Sequence, residues 1–210
     1  MDRINLNNIY FRKLNAKDIK ELKDLHDEWF PMNYSDSFYQ RVLKKNVIAV
    51  GCFVKSLPVP ENPEEKEIII GAILSKVRPN DEVAGEISRQ RNRQTSFLLS
   101  WASWLRSLIT CAPVPGAYIM TLGVVDECRR LGIGTKLIDE TIRVLNQEWK
   151  ACQVLYLHVV TYNETAIRFY QRNQFLTLKI EEDHYTIMDK NYNAILLYKD
   201  ISAPAPDSVF

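Results

Sequence analysis

The segment Cys128–Leu137 (CRRLGIGTKL) places two arginines and two glycines between an apolar strand pattern and an amphipathic helix pattern. The strand pattern is Ala117–Val125, and the helix pattern begins at Gly134. A glycine-rich turn that enters a helix points several backbone N–H groups in one direction, and the helix dipole adds partial positive charge there. The segment is therefore either an anion-binding loop or an ordinary basic turn.

The spacing of the two glycines decides which anion-binding pattern the segment can match. Gly132 and Gly134 lie too close together for the nucleotide-binding patterns GxxxxGKS and GxxxxGKT, and Leu137 stands where GxGxxG requires glycine. The pattern that fits is RxxGxG, over Arg129–Gly134. It resembles the pyrophosphate loop of acetyl-CoA-binding acyltransferases of the GNAT family. Its position between a strand and a helix favours that interpretation over a plain turn.

The composition is that of one globular domain without a strong net charge. The chain has 210 residues, 46% of them hydrophobic and 25% charged, with a formal net charge of +1. No global field therefore recruits nucleic acid, and any anion site has to be local. We expect a single domain over residues 1–200, with an insertion at about 78–116 and a loose tail over 201–210.

Cysteine and histidine usage argues against a disulfide framework and against a metal site. The four cysteines contain no CxxC pair, and the polar start MDRINLNN lacks a signal-peptide pattern, so we expect reduced thiols in an intracellular protein. The three histidines have no ligand-like spacing, so we expect no metal. No run reaches the roughly 18 apolar residues that a membrane span requires.

The order of strand and helix patterns predicts one mixed sheet with helices packed on it. Strands are predicted over residues 8–14, 47–54, 67–77, 117–125, 154–160, 176–186 and 192–199, which gives about seven strands. Helices are predicted after Asn15, over Asp36–Lys44, from Gly134 and after Asn163. We therefore expect an α/β (or α+β) fold.

The segment between Arg78 and Pro115 has no strand pattern and is interpreted as an insertion. One helix is predicted over Ser96–Ile109, with an apolar stripe along one side: Phe97, Trp101, Trp104, Leu105 and Leu108. Three interpretations of the stripe stay open. It packs on the core, forms an interfacial membrane helix over residues 96–110, or provides a face for an auxiliary subunit.

Four segments occur in the order found in one family of enzymes. They are FPMNYSDSFY (Phe30–Tyr39), YIMTLGVV (Tyr118–Val125), the RxxGxG loop and YLHVVTYNETAIRFY (Tyr156–Tyr170). Together they strongly resemble N-terminal α-acetyltransferases of the NatF and NatE types within the GNAT family, over most of residues 8–199 outside the insertion. WFP, LGVV and NETAIRFY resemble NatF, whereas YIMTLG and RRLGIGTK resemble NatE, so the subtype stays open.

The resemblance implies a GNAT fold, acetyl-CoA as cosubstrate and no metal. It implies transfer of acetyl to the α-amine of protein N-termini that begin with methionine, mostly hydrophobic or amphipathic ones, by direct attack in a ternary complex. Acetylation of lysine, including histone lysines, is implied as a secondary activity. We expect a monomer in the cytoplasm or on the cytosolic face of the Golgi or another internal membrane.

An α-amine needs less help than a lysine side chain to lose its proton. Its pKa is about 7.7–8.0, against about 10.4 for lysine, and this gap is worth roughly 3.4 kcal/mol. A modest base that acts through a water molecule is therefore sufficient for an N-terminus. The sequence contains no strong carboxylate base in a recognisable motif.

His158, Tyr118 and Tyr170 fall in apolar strand and helix patterns, where each could simply pack in the core. The resemblance implies other roles. His158 and Tyr118 match the histidine and tyrosine with which the family deprotonates the amine through an ordered water. Tyr170 matches the family's tyrosine near the CoA sulfur, which implies a general acid for the leaving thiolate.

The resemblance also implies contacts to the cosubstrate. The pantetheine arm would be held by backbone groups of Leu122 and Val124 and by Asn163, which is in addition a good helix N-cap. Tyr170 would lie near the sulfur. The pyrophosphate would be bound by the loop residues Arg129, Arg130, Leu131, Gly132, Ile133, Gly134 and Thr135.

For the peptide substrate, the resemblance implies a box around the first methionine, together with residues of the catalytic strands and of a second loop. The set is Phe30, Pro31, Tyr34, Tyr118, His158 and Tyr185. In the second loop the family often has two adjacent tyrosines, and His184 stands in place of the first. One peptide hydrogen bond of the family is therefore not carried over to this chain.

Two other functions stay open from the sequence. An enzyme for internal lysines or small amines would not need the box that begins with Phe30 and Pro31. A CoA-binding scaffold subunit without catalysis would be free to lose the catalytic tyrosines and histidine, all of which are present. Cys128 and Cys152 have no histidine neighbour in a recognisable motif, so no covalent enzyme intermediate is expected.

Overall fold

The computed structural model describes residues 8–55, 67–96, 114–187 and 189–202, except for the side chains of residues 91–96. This described part contains seven strands and five helices. In chain order they are β1 (Ile9–Lys13), α1 (Ile19–Trp29), α2 (Asp36–Val42), β2 (Val47–Lys55), β3 (Glu67–Arg78), α3 (Glu82–Ser96), β4 (Gly116–Val124), α4 (Ile133–Glu148), β5 (Val154–Val160), α5 (Glu164–Arg172), β6 (Leu176–Ile187) and β7 (Lys190–Asp200).

The strands form one sheet in the order β1-β2-β3-β4-β5-β7-β6. The β1/β2, β2/β3, β5/β7 and β6/β7 pairs are antiparallel, whereas β4 and β5 are parallel. A parallel pair needs a long crossover, and the connection from β4 to β5 contains α4. The predicted mixed sheet of about seven strands is confirmed, and the chain belongs to the α/β class.

The chain divides into two compact units that are interleaved in sequence. The first unit takes the residues up to Lys76 together with Ile119–Leu145. The second unit takes Val77–Tyr118 together with the residues from Asn146 onward. The three boundaries therefore fall inside β3, inside β4 and inside α4.

The core of the first unit lies between the sheet and the helices α1 and α2. Its buried members are Leu14, Leu22, Tyr39, Val42, Ala49, Phe53, Ile69, Ala72 and Leu74. Asn15 begins the helical segment as predicted, because its side chain accepts a hydrogen bond from Lys17 N at 2.9 Å and Asp18 closes a capping box. Glu21 of α1 also accepts from Ile69 N of β3 at 3.0 Å, which ties the helix to the sheet.

Trp29, the last residue of α1, packs directly on Gly123 of β4. A Cβ atom at position 123 would lie 2.0 Å from Trp29 Cε3, far inside contact distance. Glycine is therefore required here for the close approach of a helix side chain to a strand backbone.

The core of the second unit joins α3 to the strands β5 and β7. It contains Ala84, Ile87, Val154, Tyr156 and Leu196. The buried carboxylate of Asp81 accepts hydrogen bonds from Ala84 N at 3.0 Å and from the Tyr156 hydroxyl. Asp81 thereby caps α3 and ties it to β5.

The helix α3 was not predicted from the sequence. Its described buried face is small, because Ala84 and Ile87 are its main apolar residues and most others are polar. The predicted helix over Ser96–Ile109 starts at the last residue of α3, and the rest of it, with its apolar stripe, lies outside the described residues. The same holds for residues 203–210 of the predicted tail. Among the described helices, none has the length and apolar content to cross a membrane.

Candidate functional site

The parallel ladder of β4 and β5 aligns Tyr118 with Tyr156. Because side chains alternate along a strand, His158 lies on the same face of β5 as Tyr156. The Tyr118 ring lies 5.3 Å from the Tyr156 ring and 5.7 Å from the His158 ring, between centroids. The structure thus brings Tyr118 and His158 together, as the sequence analysis predicted.

Glu181 of β6 is the partner of the His158 imidazole. Its Oε2 lies 3.1 Å from His158 Nε2. A carboxylate can only accept, so neutral His158 carries its proton on Nε2 and keeps a lone pair on Nδ1. Within the described residues, Nδ1 is buried and makes no hydrogen bond.

Burial lowers the pKa of His158 to about 4, and His184 adds to the lowering while Glu181 opposes it. The imidazole is therefore neutral at pH 7, in the form that can accept a proton. Its Nδ1 carries a lone pair to which no described residue donates.

A bulge in β6 brings His184 beside His158. The pairing of β6 with β7 shifts between Glu181 and Tyr185, and Asp183 has a φ of +49° inside the bulge. Asp183 N donates to Asn193 Oδ1 at 3.1 Å. As a result the His184 ring stacks on the His158 ring, with centroids 3.9 Å apart.

His184 also bonds the carboxylate that holds His158. Its Nδ1 lies 2.8 Å from Glu181 Oε2, the same oxygen that pairs with His158. Lys179 Nζ lies 3.2 Å from the other oxygen, Oε1. Burial works against ionisation of Glu181, but these neighbours outweigh it and lower the pKa of the carboxyl group.

Tyr185 contacts the backbone of β5. Its hydroxyl donates to His158 O at 3.2 Å and shares a hydrogen bond with Tyr118. Burial raises the pKa of Tyr118, and the Tyr185 hydrogen bond and the Arg78 guanidinium, 5.2 Å from the ring centroid, oppose part of that rise. Tyr118 is therefore a protonated phenol at neutral pH.

Tyr170 and Asn163 occupy α5 and its N-terminus. Tyr170 is buried, and burial raises the pKa of its phenol, which therefore keeps a proton to donate at neutral pH. Asn163 caps the helix as predicted, since its Oδ1 accepts from Ala166 N at 3.1 Å. The acid role of Tyr170 and the pantetheine contact of Asn163 stay predictions.

The glycine loop in the first unit has the backbone of an anion-binding turn. Arg130 and Gly132 have φ values of +64° and +79°, and the first bond of α4 runs from Lys136 N to Gly132 O at 3.1 Å. Residues 133–135 precede Lys136 in the chain, so their N–H groups have no acceptor within the helix. A Cβ at position 132 would meet nothing within 4 Å, so glycine serves the positive φ here and not close contact.

The loop residues themselves are accessible. Leu131 is 49% exposed, and Arg130, Gly132 and Thr135 are also exposed, whereas Ile133 is buried beneath the helix start. The Arg129 side chain is paired in this structure, with Val124 O at 3.1 Å and Asp126 Oδ1 at 2.7 Å. Leu122 and Val124 are half-buried at the end of β4.

The peptide-box residues of the first unit pack around a histidine that the sequence analysis did not single out. The rings of Phe30 and Tyr34 lie 5.4 and 5.3 Å from the His26 ring. Pro31 is exposed and follows the end of α1. Phe30 and Tyr34 are therefore parts of one aromatic cluster and not isolated surface rings.

His26 is fully buried at the centre of this cluster. Its Nδ1 lies 3.2 Å from the Tyr39 hydroxyl, and its Nε2 lies 3.4 Å from Thr121 Oγ1. Burial lowers the pKa of His26 to about 4, with no charged group contributing. His26 is a neutral structural histidine.

Glu181, Arg78 and His26 were not predicted from the sequence. A neutral histidine inside a buried strand requires a partner, and that requirement was the available signal for an acidic residue such as Glu181. His26 occupies the buried face of α1 four residues after Leu22, and this spacing was a signal for it.

Comparison with known proteins agrees with this architecture. The Acetyltransferase (GNAT) family matches residues 19–175. The chain is 28% identical to histone acetyltransferase MCC1 of Arabidopsis thaliana over 195 residues, 90% of this chain and 68% of that protein. It is 30% identical to N-alpha-acetyltransferase 60 of Danio rerio over 185 residues, 86% of this chain and 62% of that protein.

A solved structure of Arabidopsis thaliana NAA60 in complex with acetyl-CoA superposes with a TM-score of 0.70 at 26% identity, covering 93% of this chain and 99% of the other. The predicted GNAT fold and the predicted N-acetyltransferase family are both confirmed. By its family match, its strand order and its strand–loop–helix segment, the chain belongs to the GNAT acetyltransferase family.

Proposed function

We propose that this chain is an N-terminal α-acetyltransferase. It moves acetyl from acetyl-CoA to the α-amine of peptides that begin with methionine, mostly hydrophobic or amphipathic ones, by direct attack. The similar NAA60 structures contain acetyl-CoA in one case and a bisubstrate analogue in the other. The observation that carries the proposal is the neutral His158 with a buried, unpaired Nδ1.

His158 accepts the amine proton at Nδ1, through a water molecule, while Glu181 holds Nε2–H. The low basicity of His158 favours an α-amine over a lysine side chain as the acetyl acceptor. A histidine whose pKa is lowered to about 4 is a weak base, and an α-amine with a pKa of about 7.7–8.0 is already partly neutral at pH 7–8. A lysine side chain would cost roughly 3.4 kcal/mol more to deprotonate.

Tyr118 and Tyr170 supply the remaining polar groups. Tyr118 is protonated and next to the His158 backbone, so its hydroxyl orients the attacking group. Tyr170 keeps its proton because of burial, which suits a general acid for the departing thiolate of CoA. Its hydroxyl proton goes to sulfur as the carbon–sulfur bond breaks and the amide bond forms.

The glycine loop binds the pyrophosphate. The N–H groups of residues 133–135 and the positive-φ residues Arg130 and Gly132 form the anion-binding backbone. Arg129, now paired with Asp126, is available at the rim to exchange that partner for phosphate. Asn163, Leu122 and Val124 contact the pantetheine arm.

The aromatic cluster around His26 holds the peptide box. Phe30 and Tyr34 pack on this fixed ring, which leaves little freedom to the segment that contains Pro31. A box of this kind binds a terminal methionine side chain and backbone. Tyr185, predicted in a second loop, lies in β6; bonded to the His158 backbone, it contributes to peptide binding in the second unit.

The test is acetyl transfer from labelled acetyl-CoA to three peptides. One begins Met-Leu with a free N-terminus, the second is the same peptide with a blocked N-terminus, and the third is blocked and carries an internal lysine. We expect product only from the first, and none from a His158→Ala variant that still binds acetyl-CoA. Transfer to the blocked lysine peptide alone would replace the proposal with a lysine acetyltransferase, and acetyl-CoA binding without turnover would replace it with a scaffold.

A further inference from the structure

His158, Glu181 and His184 form a cluster of metal-ligating side chains. One ligand atom from each lies within 4.8 Å of the other two. His158 Nε2 and His184 Nδ1 both face Glu181 Oε2, at 3.1 and 2.8 Å. Two imidazole nitrogens and one carboxylate oxygen are a ligand set that Zn²⁺ takes in proteins, with a fourth position open to water.

The β6 bulge creates this cluster. In a regular strand, residues three apart point to opposite faces, so Glu181 and His184 would not meet. The pairing shift between Glu181 and Tyr185 and the positive φ of Asp183 turn His184 back to the side of Glu181. The cluster is therefore a product of local backbone geometry and not of strand periodicity.

We propose that this cluster binds Zn²⁺ as an inhibitory ion, through His158 Nε2, Glu181 Oε2 and His184 Nδ1. Imidazole ligands favour zinc-type ions over Mg²⁺ or Ca²⁺, which prefer all-oxygen sites. The two stacked rings cannot both direct a lone pair at one ion, so one ring has to tilt. The His184 side chain is 26% exposed and the His158 side chain 10%, so His184 is the ring with room to move.

Lys179, the charged neighbour of the cluster, determines which oxygen of Glu181 can bind the ion. Lys179 Nζ occupies Oε1 at 3.2 Å, and Oε2 is left to the ion. Lys179 also lies 3.9 Å from Glu86 Oε2, which offsets part of its positive charge.

The ion blocks the base by moving a proton. A metal on Nε2 needs the lone pair there, so the neutral imidazole carries its proton on Nδ1 instead. Nδ1 then has no lone pair to accept a proton from the amine. Inhibition of turnover rests on the proposed function, whereas binding of the ion does not.

Binding is tested by calorimetric titration of the full chain, without a histidine tag and freed of metal, with ZnCl₂ and with MgCl₂. We expect one Zn²⁺ per chain and no heat from Mg²⁺. His184→Tyr and Glu181→Gln should each weaken Zn²⁺ binding at least about 100-fold. Glu182→Gln, which changes an exposed neighbouring carboxylate outside the cluster, should leave Zn²⁺ binding unchanged. Equal Zn²⁺ affinity in all four proteins, or no binding to the wild type, would overturn the site.

Turnover of the Met-Leu peptide is then measured with and without Zn²⁺, each protein against its own metal-free rate. The wild type and Glu182→Gln should lose activity as the site fills and recover it with EDTA, while His184→Tyr should keep its own rate at the same Zn²⁺ concentration. Stoichiometric binding without inhibition would overturn the blocking of Nδ1. If no peptide is turned over at all, the proposed function fails and the titration alone still decides the metal site.

Discussion

His26 in the first unit and His158 in the second are both buried, and burial lowers the pKa of each to about 4. Their partners differ. His26 contacts two neutral hydroxyls, and no charged group contributes to its pKa. His158 faces a carboxylate on one nitrogen, and its other nitrogen has no hydrogen bond to any residue that the structure describes.

The two histidines share the direction and the main cause of their pKa shift, but their hydrogen bonds suit a structural role for His26 and the proposed base for His158. Both nitrogens of His26 are engaged, so it has no lone pair to offer, and it fixes five aromatic rings whose centroids lie 5.3–6.1 Å away. One nitrogen of His158 is hydrogen-bonded to Glu181, and the other is buried without a hydrogen bond to any described residue. Burial alone therefore does not distinguish the two histidines, and the proposed catalytic role of His158 depends on its unpaired nitrogen.

Replacement of His158 should give the largest effect on activity. His158→Ala removes the base, and kcat should fall about 10²–10⁴-fold. The KM for acetyl-CoA should not change, because His158 is not among the residues proposed to bind the cosubstrate. A loss of kcat below about tenfold would mean that His158 is a packing residue like His26.

Acid should destabilise the protein through His26. Its folded pKa of about 4 lies below the unfolded value of about 6.5, so between these pH values the unfolded chain binds the proton and the folded chain does not. The free energy of unfolding therefore has its full value above pH about 6.5. It decreases as the pH falls towards 4, by an amount on the order of 3 kcal/mol.

The measurement for His26 is urea unfolding at several pH values, with His26→Gln as the comparison. All other titratable groups are the same in the two proteins. A difference between them in how the free energy of unfolding changes with pH is therefore due to His26. Parallel curves for the two proteins would show that His26 is solvated or already charged in the folded state.

The glycine loop allows a test confined to cosubstrate binding. Gly132→Ala places a residue with a Cβ at a φ of +79°, which costs about 1–2 kcal/mol of strain in the loop. Because the strained loop binds the pyrophosphate less well, the KM for acetyl-CoA should rise about tenfold. The matched control is Gly85→Ala in α3, where a Cβ would meet only Arg89 Nη1 at 3.9 Å. That substitution should leave the KM for acetyl-CoA unchanged, and an equal rise in both variants would contradict a role for the loop backbone.

Glu181 should show the smallest of these effects. Glu181→Gln keeps the shape of the side chain and removes the charge that fixes Nε2–H, so kcat should fall about threefold to tenfold. The KM for acetyl-CoA and the melting temperature should stay the same, which separates positioning of His158 from a general loss of structure. Glu182→Gln is the control and should keep the wild-type kcat; an equal fall in the control would remove Glu181 from the mechanism.

Much of the fold could be predicted because its signals are local. The apolar run Val154–Val160 matches β5 residue for residue, and Asn163 caps α5 where the sequence analysis placed the cap. The helix α3 was missed because its signals are weak, with a small apolar face behind the Asp81 cap. Its burial depends on β5 and β7, which come much later in the chain.

The site could be predicted only in part. Tyr118, His158 and Tyr185 were found by resemblance and do lie together in the second unit. Glu181 was missed because its contact with His158 spans 23 residues and depends on the registers of β5, β6 and β7. His26 was missed because its contact with Thr121 spans 95 residues.

Local sequence signals were enough to predict the order of the seven strands and of four of the five described helices, the caps at Asn15 and Asn163, and the glycine loop that enters α4. These features depend on propensities and hydrogen bonds among residues a few positions apart. Only the tertiary structure decided which histidine keeps an unpaired nitrogen and which is enclosed by aromatic rings. That choice depends on strand register, on the β6 bulge and on burial, which are set by contacts between residues far apart in the chain.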